Sequence, residues 1–183
     1  MTDTADLPDL RTVGHSNRSL NEFIELLTDT GTEAVVDVRR LPGSNKNPWF
    51  NADTLVNDFA EHGIELRRLE GLTGRRPISH TVPFETNAWW QNRSFHNYAD
   101  HAQSQEFSRT LDHLRERGRA ERTAFLCSEA VWWRCHRRII ADHLLARGET
   151  VHHILGPDHV DPAQLGRGAV VGSDRGVIYP SAG

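Results

Sequence analysis

Lysine, cysteine and long apolar runs are scarce in this sequence. Lys46 is the only lysine, so arginine supplies nearly all positive charge, which suits bidentate recognition of carboxylate or phosphate and also fits a GC-rich genome. The two cysteines, Cys127 and Cys135, are too few for a disulfide scaffold. No run approaches the ~18 apolar residues of a membrane span, and the acidic start lacks the basic and apolar regions of a signal peptide. We therefore expect a cytoplasmic protein with reduced cysteines and no membrane partner.

The composition is that of one globular domain. The chain has 183 residues, of which 37% are hydrophobic and 25% are charged, which is enough for a sizeable core in a single domain. The formal net charge of −4 gives no global attraction to nucleic acid. Residues 1–9 are predicted to be a disordered tail, and residues 10–183 are predicted to form the domain.

Short apolar runs alternate with segments of helical periodicity. Strands are predicted near residues 10–14, 34–38, 64–69, 123–127 and 150–155, with a small β element near 177–179. The helical segment 98–117 should break near 102–104. The alternation predicts a three-layer α/β fold with a mainly parallel sheet of about five strands, Rossmann-like or rhodanese-like in outline.

Residues 70–94 interrupt this alternation. Two glycines and two prolines fall there without any period, at Gly71, Gly74, Pro77 and Pro83. An irregular loop of this length is uncommon in a compact domain and is often functional. We expect either a lid or binding loop, or a poorly ordered insertion.

Three stretches follow predicted strands and should meet at the carboxyl edge of a parallel sheet, where α/β proteins keep their sites. They are residues 14–16, 37–44 and 127–138, and they contain acids, bases, nucleophiles and guanidinium groups. The candidate catalytic residues are Glu129, Cys135, His15 and Asp37. The candidate ligand-binding residues are Ser16, Arg39, Ser44, Asn51, Arg134, His136 and Arg137.

The candidates that follow the first two strands also have structural interpretations. His15 and Ser16 could cap the first helix instead of contacting a ligand. Asp37 would be costly inside an apolar strand without a partner, and Arg39 points to the same face, so a structural ion pair is as reasonable as a catalytic carboxylate. Two further candidates have residue types that commonly hold turns and loop backbone: Ser44 and Asn51.

The stretch 127–138 crowds arginines at a predicted helix N-terminus. Free N–H groups and the helix dipole favour an anion there, and Arg134 and Arg137 would otherwise be unfavourably placed. Glu129 could instead neutralise one arginine. Cys135 is a candidate nucleophile, although a buried inert thiol is the commoner case, and Cys127 is expected in the core. Adjacent Cys135 and His136 lack zinc-ligand spacing, so neither a metal nor another cofactor is predicted.

The motifs Thr12-Val-Gly-His-Ser16, Val36-Asp-Val-Arg-Arg-Leu-Pro-Gly-Ser44, Phe50-Asn51, Cys127-Ser-Glu129 and Trp133-Arg-Cys-His-Arg137 resemble those of the domain of unknown function 488 family. The resemblance covers about residues 10–160 and implies a bacterial or archaeal, cytosolic α/β protein. That family usually shows Leu-Gly-Gly where this chain has Leu72-Thr73-Gly74. A fainter likeness to rhodanese-type domains rests on Asp37-Val-Arg39 and Cys127 and concerns the fold alone.

Three functions follow from these patterns. The first is an enzyme or ligand-processing domain that binds an anionic small molecule, with a nucleotide as one candidate, at the carboxyl edge of the sheet. The second is a nucleic-acid module that uses loop arginines and the tryptophan pairs Trp89-Trp90 and Trp132-Trp133. The third is a protein-interaction domain without activity.

Overall fold

A six-stranded sheet forms the centre of the protein in a computed structural model that describes residues 9–41, 43 and 45–181. Its strands are β1 (Leu10–Gly14), β2 (Ala34–Asp37), β3 (Glu65–Arg68), β4 (Thr123–Cys127), β5 (Val151–Gly156) and β6 (His159–Pro162). Their order across the sheet is β3-β2-β4-β1-β5-β6. The first five are parallel, and β6 pairs antiparallel with β5. The predicted sheet of about five parallel strands is confirmed, and β6 is an addition at its edge.

Helices cover both faces of this sheet. They are α1 (Leu20–Asp29), α2 (Ala52–Ala60), α3 (Arg93–His101), α4 (Gln105–Ala120) and α5 (Arg137–Ala146). Phe23 of α1 and Phe59 of α2 belong to one buried cluster, whereas Leu111 of α4 and Ile139 of α5 belong to the other. The sheet therefore lies between two helical layers, which confirms the predicted three-layer fold.

Local sequence signals set the helix boundaries. The side chain of Ser19 accepts a hydrogen bond from the backbone N–H of Glu22 and so caps α1. The predicted break near residues 102–104 separates α3 from α4, and Ser104 caps α4. Before α2 the extended cap residue is Asn51, and Asp53 lies in the first turn.

The segment 70–94 contains short 3-10 helices at Glu70–Leu72 and Phe84–Asn87 and is packed against α3 and α4. The hydroxyl of Tyr98 donates to the carbonyl of Leu72 at 2.7 Å. A Cβ at Gly71 would lie 2.0 Å from Thr110 Oγ1, so only glycine allows this approach to α4. The segment is irregular, as predicted, and it is packed as part of the domain.

The C-terminal part adds a small two-stranded sheet, β7 (Val170–Val171) and β8 (Val177–Ile178), where a β element was predicted near residues 177–179. Two sequence predictions, the tail up to residue 8 and the role of Ser44, fall outside the described residues. Asp9, the first described residue, accepts a hydrogen bond from Arg11 Nε at 2.6 Å. Within residues 9–181, apart from positions 42 and 44, no helix is long and apolar enough to cross a membrane.

The strand order places a crevice between β1 and β4. These strands are neighbours, but the chain leaves β1 for α1 on one face and leaves β4 for α5 on the other. Ligands of doubly wound α/β proteins bind where neighbouring strands diverge in this way. The first candidate position for a site is therefore the carboxyl end of β1 and β4.

Candidate functional site

A cleft of about 520 Å³ opens at this carboxyl edge. Its walls come from the β1 turn, the loop after β2, the segment that precedes α3, and the turn between β4 and α5. The lining residues are His15, Arg39, Arg40, Leu41, Gly43, Gly74, Arg75, Asn92, Ser94, Phe95, Tyr98, Cys127, Ser128, Glu129, Arg134, Cys135 and His136.

Asp37 and Arg39 form a buried ion pair on the β2 side of the cleft. Arg39 Nη2 donates to Asp37 Oδ2 at 2.7 Å and Arg39 Nε donates to Oδ1 at 2.9 Å. Arg39 also donates to the carbonyl of Phe50 at 2.7 Å. Both carboxylate oxygens of Asp37 are therefore engaged, and Asp37 does not line the cleft. This geometry fits the structural interpretation of the pair.

His15 projects into the cleft from the end of β1. Its Nδ1 lies 2.8 Å from the carbonyl of Ser16, which can only accept, so Nδ1 carries the proton and Nε2 remains an acceptor. The ring stacks on Phe50 at 4.3 Å between centroids. Burial, opposed by the Ser16 hydrogen bond, lowers the pKa of His15 to about 4. His15 is therefore neutral at pH 7 and could accept a proton or a hydrogen bond.

The turn between β4 and α5 brings two thiols and an imidazole together. Cys127 ends β4, and Cys135 and His136 immediately precede α5. The two sulfur atoms and a ring nitrogen of His136 all lie within 4.8 Å of one another, and Cys135 Sγ lies 3.7 Å from His136 Nδ1. Both cysteines are free thiols, and both line the cleft although they are nearly buried. We call these three residues the thiol–imidazole cluster.

Backbone contacts fix the ring of His136. Its Nε2 lies 3.1 Å from the carbonyl of Val38, which can only accept, so Nε2 carries a proton and Nδ1 is the nitrogen that faces the sulfur of Cys135. The ring also packs on Tyr98 at 4.7 Å between centroids. A Cβ at Gly74 would lie 2.9 Å from the ring. The loop that carries Gly74 and the end of β2 thus hold the imidazole in one orientation.

Arg137 lies beneath the cluster and is 1% exposed. Its guanidinium donates to Glu129 O at 2.6 Å, to Thr12 Oγ1 at 3.2 Å and to Cys135 Sγ at 3.4 Å. No carboxylate among the described residues pairs with it. The only partner that can take a negative charge is the sulfur of Cys135, so the buried cation favours a thiolate there.

The two thiols therefore differ in acidity. The hydrogen bond to Cys135, together with burial, raises the pKa of Cys127 to about 12. Burial opposes ionisation of Cys135 as well, but the Cys127 hydrogen bond and the Arg137 charge outweigh it and lower the pKa of Cys135 to about 6. Cys135 is therefore the more acidic of the two thiols, and the Arg137 charge favours its thiolate.

Charged groups without partners surround the cluster. Arg134 is exposed, and it has no ion pair or hydrogen bond from its side chain among the described residues; the same holds for Arg40 and Arg75. The exposed Glu129 is the only carboxylate among the described lining residues. The cleft therefore has an excess of positive charge around a thiol–imidazole floor.

The predicted site residues divide into three groups. His15, Arg39, Glu129, Arg134, Cys135 and His136 line the cleft. Four others lie behind it or beside it: Ser16, Asp37, Asn51 and Arg137. Ser44 is outside the described residues. Asn51 precedes α2, and its Oδ1 would be 3.6 Å from a Cβ at Gly43, so it borders the loop after β2.

Sequence reasoning missed several lining residues. Arg40 follows the predicted Arg39 in sequence. The only sequence signal for Arg75 is that it belongs to an arginine pair within the irregular segment. Cys127 is buried, as expected for a core residue, yet it also meets the cleft because β4 ends there.

The tryptophan pairs are largely occupied by packing. Trp90 is 7% exposed and lies 5.2 Å from Tyr179 between ring centroids, and the guanidinium of Arg138 lies 4.8 Å above its ring. Trp132 stacks on His153 with an interplanar angle of 8°. Trp133 is the more exposed member of its pair.

Comparison with known proteins assigns this chain to a family. The family model for Domain of unknown function DUF488 matches residues 19–144, a span that contains the loop after β2, the segment 70–94 and the thiol–imidazole cluster. No curated protein and no solved structure matches the chain.

Proposed function

Because the chain belongs to the DUF488 family of domains of unknown function, we propose its function from the cleft itself. The protein is an enzyme that binds an anionic small molecule at the carboxyl edge of the sheet. The observation that supports this most strongly is that three guanidiniums line the cleft without a carboxylate partner among the described residues: Arg40, Arg75 and Arg134.

Several arginines outside the cleft pair with nearby acids. Arg115 lies 2.9 Å from Glu149, and Arg117 lies 3.1 Å from Glu121. In the cleft, by contrast, several guanidinium groups line one small cavity in which Glu129 is the only carboxylate among the described lining residues. A phosphate or carboxylate would relieve this repulsion, and guanidinium forks bind such groups bidentately.

The cleft also has the size and polarity of a small-molecule site. Its volume of about 520 Å³ falls within the range of roughly 300–1,000 Å³ that is common for ligand pockets. Phe95 adds an apolar wall beside the arginines. A phosphorylated compound with an apolar or planar part, such as a nucleotide, has the complementary chemistry.

The reactive groups lie along the same wall as the arginines. An anion bound by Arg134 would bring the rest of the ligand toward the thiol–imidazole cluster, since Arg134 and Cys135 are adjacent and both line the cleft. Glu129 and His15 are the groups placed to accept or donate a proton. Asp37 has a different role in this proposal, because its carboxylate positions Arg39.

No specific observation favours nucleic acid as the partner. Stacking on single-stranded bases needs exposed aromatic faces, whereas Trp90 is buried and Trp132 already stacks on His153.

Thermal unfolding of the protein with single anions tests the proposal. The panel consists of inorganic phosphate, pyrophosphate, adenosine monophosphate and succinate. At a concentration of about 100 times Kd, a bound anion should raise Tm by about 5–10 °C. The double variant Arg75→Gln/Arg134→Gln should lose most of that shift because two of the cleft cations are removed.

A matched variant separates site binding from general charge. Arg109 and Arg167 are exposed and do not line the cleft, so Arg109→Gln/Arg167→Gln removes the same charge elsewhere. It should keep the wild-type shift. The proposal fails if no anion of the panel raises Tm, or if both double variants lose the shift equally.

A further inference from the structure

The thiol–imidazole cluster has the ligand set of a metal site. We propose that Cys127 Sγ, Cys135 Sγ and His136 Nδ1 bind one zinc-like divalent cation, with a fourth coordination position open to the cleft. Nothing in the family description assigns a metal to this chain. Two thiolates and an imidazole favour zinc and its chemical neighbours over calcium or magnesium, which prefer oxygen ligands.

The distances suit a tetrahedral ion. With a metal–sulfur bond of about 2.3 Å and a metal–nitrogen bond of about 2.0 Å, neighbouring ligand atoms lie roughly 3.5–3.8 Å apart. Cys135 Sγ and His136 Nδ1 are already 3.7 Å apart. The two sulfur atoms and a ring nitrogen of His136 lie within 4.8 Å of one another, so closure around an ion needs movements of about 1 Å, which side-chain rotation can provide.

The groups behind the ligands are oriented as in protein metal sites. Metal-bound histidines usually donate their second ring N–H to a carbonyl or carboxylate, and His136 Nε2 donates to the carbonyl of Val38 at 3.1 Å. This bond leaves Nδ1 as the ligand atom. Gly74 and Tyr98 confine the ring, so the nitrogen is held in place before any ion arrives.

Arg137 contributes charge balance and a hydrogen bond. Its Nε donates to Cys135 Sγ at 3.4 Å, while its other bonds to Thr12 and Glu129 hold it fixed. Such a donor stabilises a metal-bound thiolate without occupying a coordination position. Two thiolates neutralise a divalent ion, so the buried guanidinium and the cleft arginines leave the occupied site positive and attractive to an anion.

The open position distinguishes this cluster from a structural metal site. Structural zinc sites use four protein ligands, whereas catalytic sites use three and leave one position for water or substrate. All three cluster residues line the cleft, as does Glu129, the acid nearest to them in sequence. An ion here would polarise an oxygen of a bound water or of the anion, and Glu129 could exchange a proton with it.

The inference concerns the same cleft as the proposed function but does not depend on anion binding, because it is measured with metal alone. The protein is stripped of metal with a chelator under reducing conditions and then titrated with Co²⁺. One equivalent should bind and give a near-ultraviolet thiolate-to-cobalt charge-transfer band together with visible bands of tetrahedral cobalt. Added Zn²⁺ should displace the cobalt and remove these bands.

Three single variants identify the ligands. Cys127→Ser, Cys135→Ser and His136→Gln should each weaken Co²⁺ binding by about 100-fold or more, and the two serine variants should reduce the charge-transfer intensity. The control His113→Gln changes an exposed histidine of α4 and should bind cobalt like the wild type. Circular dichroism of each metal-free variant shows whether it is folded.

Two results would overturn the metal site. One is a wild-type titration without a thiolate-to-cobalt band. The other is a band that persists at wild-type affinity in either serine variant. If Cys135→Ser does not fold because Arg137 loses its partner, Cys127→Ser and His136→Gln decide the question. A failed anion panel with an intact cobalt titration would reject the proposed function and leave the metal site standing.

Discussion

Two buried arginines border the cleft, and each follows its partner by two residues. On the β2 side Arg39 pairs with Asp37, and on the α5 side Arg137 contacts Cys135. Arg39 is 3% exposed and Arg137 is 1% exposed. Both guanidiniums also donate to a backbone carbonyl, of Phe50 and of Glu129 respectively. The positions are therefore alike in burial and geometry and differ in the partner.

The difference separates a structural pair from a reactive one. Asp37 and Arg39 have opposite charges and form an ion pair that is complete without a ligand. A thiol is ionised only when its surroundings favour the thiolate, and the thiolate is both a nucleophile and a metal ligand. A buried guanidinium thus pairs with a carboxylate at one position and favours a thiolate at the other.

The largest effect is expected from Asp37→Asn. This substitution keeps the shape of the side chain and leaves Arg39 buried without its carboxylate, which should lower the free energy of unfolding by about 3–5 kcal/mol. Urea denaturation at pH 7.5 measures the change. Asp112→Asn, which removes an exposed partner of Arg115, should cost less than about 1 kcal/mol.

The comparison would be wrong if Asp37→Asn and Asp112→Asn had similar effects. A further check is Asp37→Asn/Arg39→Met, which removes both charges and should recover part of the lost stability. Cobalt binding by folded Asp37→Asn should match the wild type, because Asp37 contacts none of the three proposed ligands.

A smaller loss of stability, about 2–4 kcal/mol, is expected from Arg137→Met. Methionine fills much of the same volume, but the bonds to Thr12 and to the carbonyl of Glu129 are lost, so two acceptors lose a donor. Cobalt affinity should also fall by about 10–100-fold, as is typical when a group that supports a metal ligand is removed. Urea denaturation and the cobalt titration measure the two effects on one protein.

The contrast with Asp37→Asn makes this prediction specific. A purely structural Arg137 would lower stability and leave the cobalt affinity of the folded protein unchanged. That outcome would mean that the two buried arginines have the same role despite their different partners.

Much of the fold could be predicted because its signals are local. The capping residue Ser19 and the apolar run of β2 each indicate an element without reference to the rest of the chain. Strand order and β6 could not be predicted, since pairing partners depend on packing between distant segments. The edge strand β6 is short and mostly exposed, so it lacks an apolar pattern.

The sequence predicted the position of the site better than its chemistry. Parallel strands end at one edge, so the joint position of His15, Arg39 and Glu129 follows from topology. The thiol–imidazole cluster does not, because Cys127 is separated from Cys135 by a turn whose path no local signal determines. The partner of Arg137 was equally hidden, since the sequence placed this residue only at a helix N-terminus, whereas the fold buries its guanidinium beside Cys135.

The smallest of these effects tests why Arg137 needs a partner at all. His143, on the same helix, is buried and has no counter-charge, and burial lowers its pKa to about 3. Arg147 lowers the pKa further, and its Nη1 lies 3.3 Å from His143 Nδ1. The interior around α5 therefore excludes an unpaired positive charge when the residue can lose its proton. Arginine cannot lose its proton, so Arg137 needs a partner that can take a negative charge, which is the sulfur of Cys135.

The folded pKa of His143 lies below its unfolded value of about 6.5, so its neutral form contributes full stability above pH 6.5. That stability is lost as the pH falls from 6.5 toward 3, because the unfolded chain binds a proton that the native state excludes. At pH 5 the loss should be about 2 kcal/mol. Urea denaturation at pH 7.5 and 5.0 should therefore show a smaller acid-induced loss for His143→Leu than for the wild type, by about that amount. The control His113→Leu changes an exposed histidine and should keep the wild-type pH dependence. Equal losses in all three proteins would show that the interior around α5 tolerates an unpaired cation. That result would remove the argument for a thiolate at Cys135.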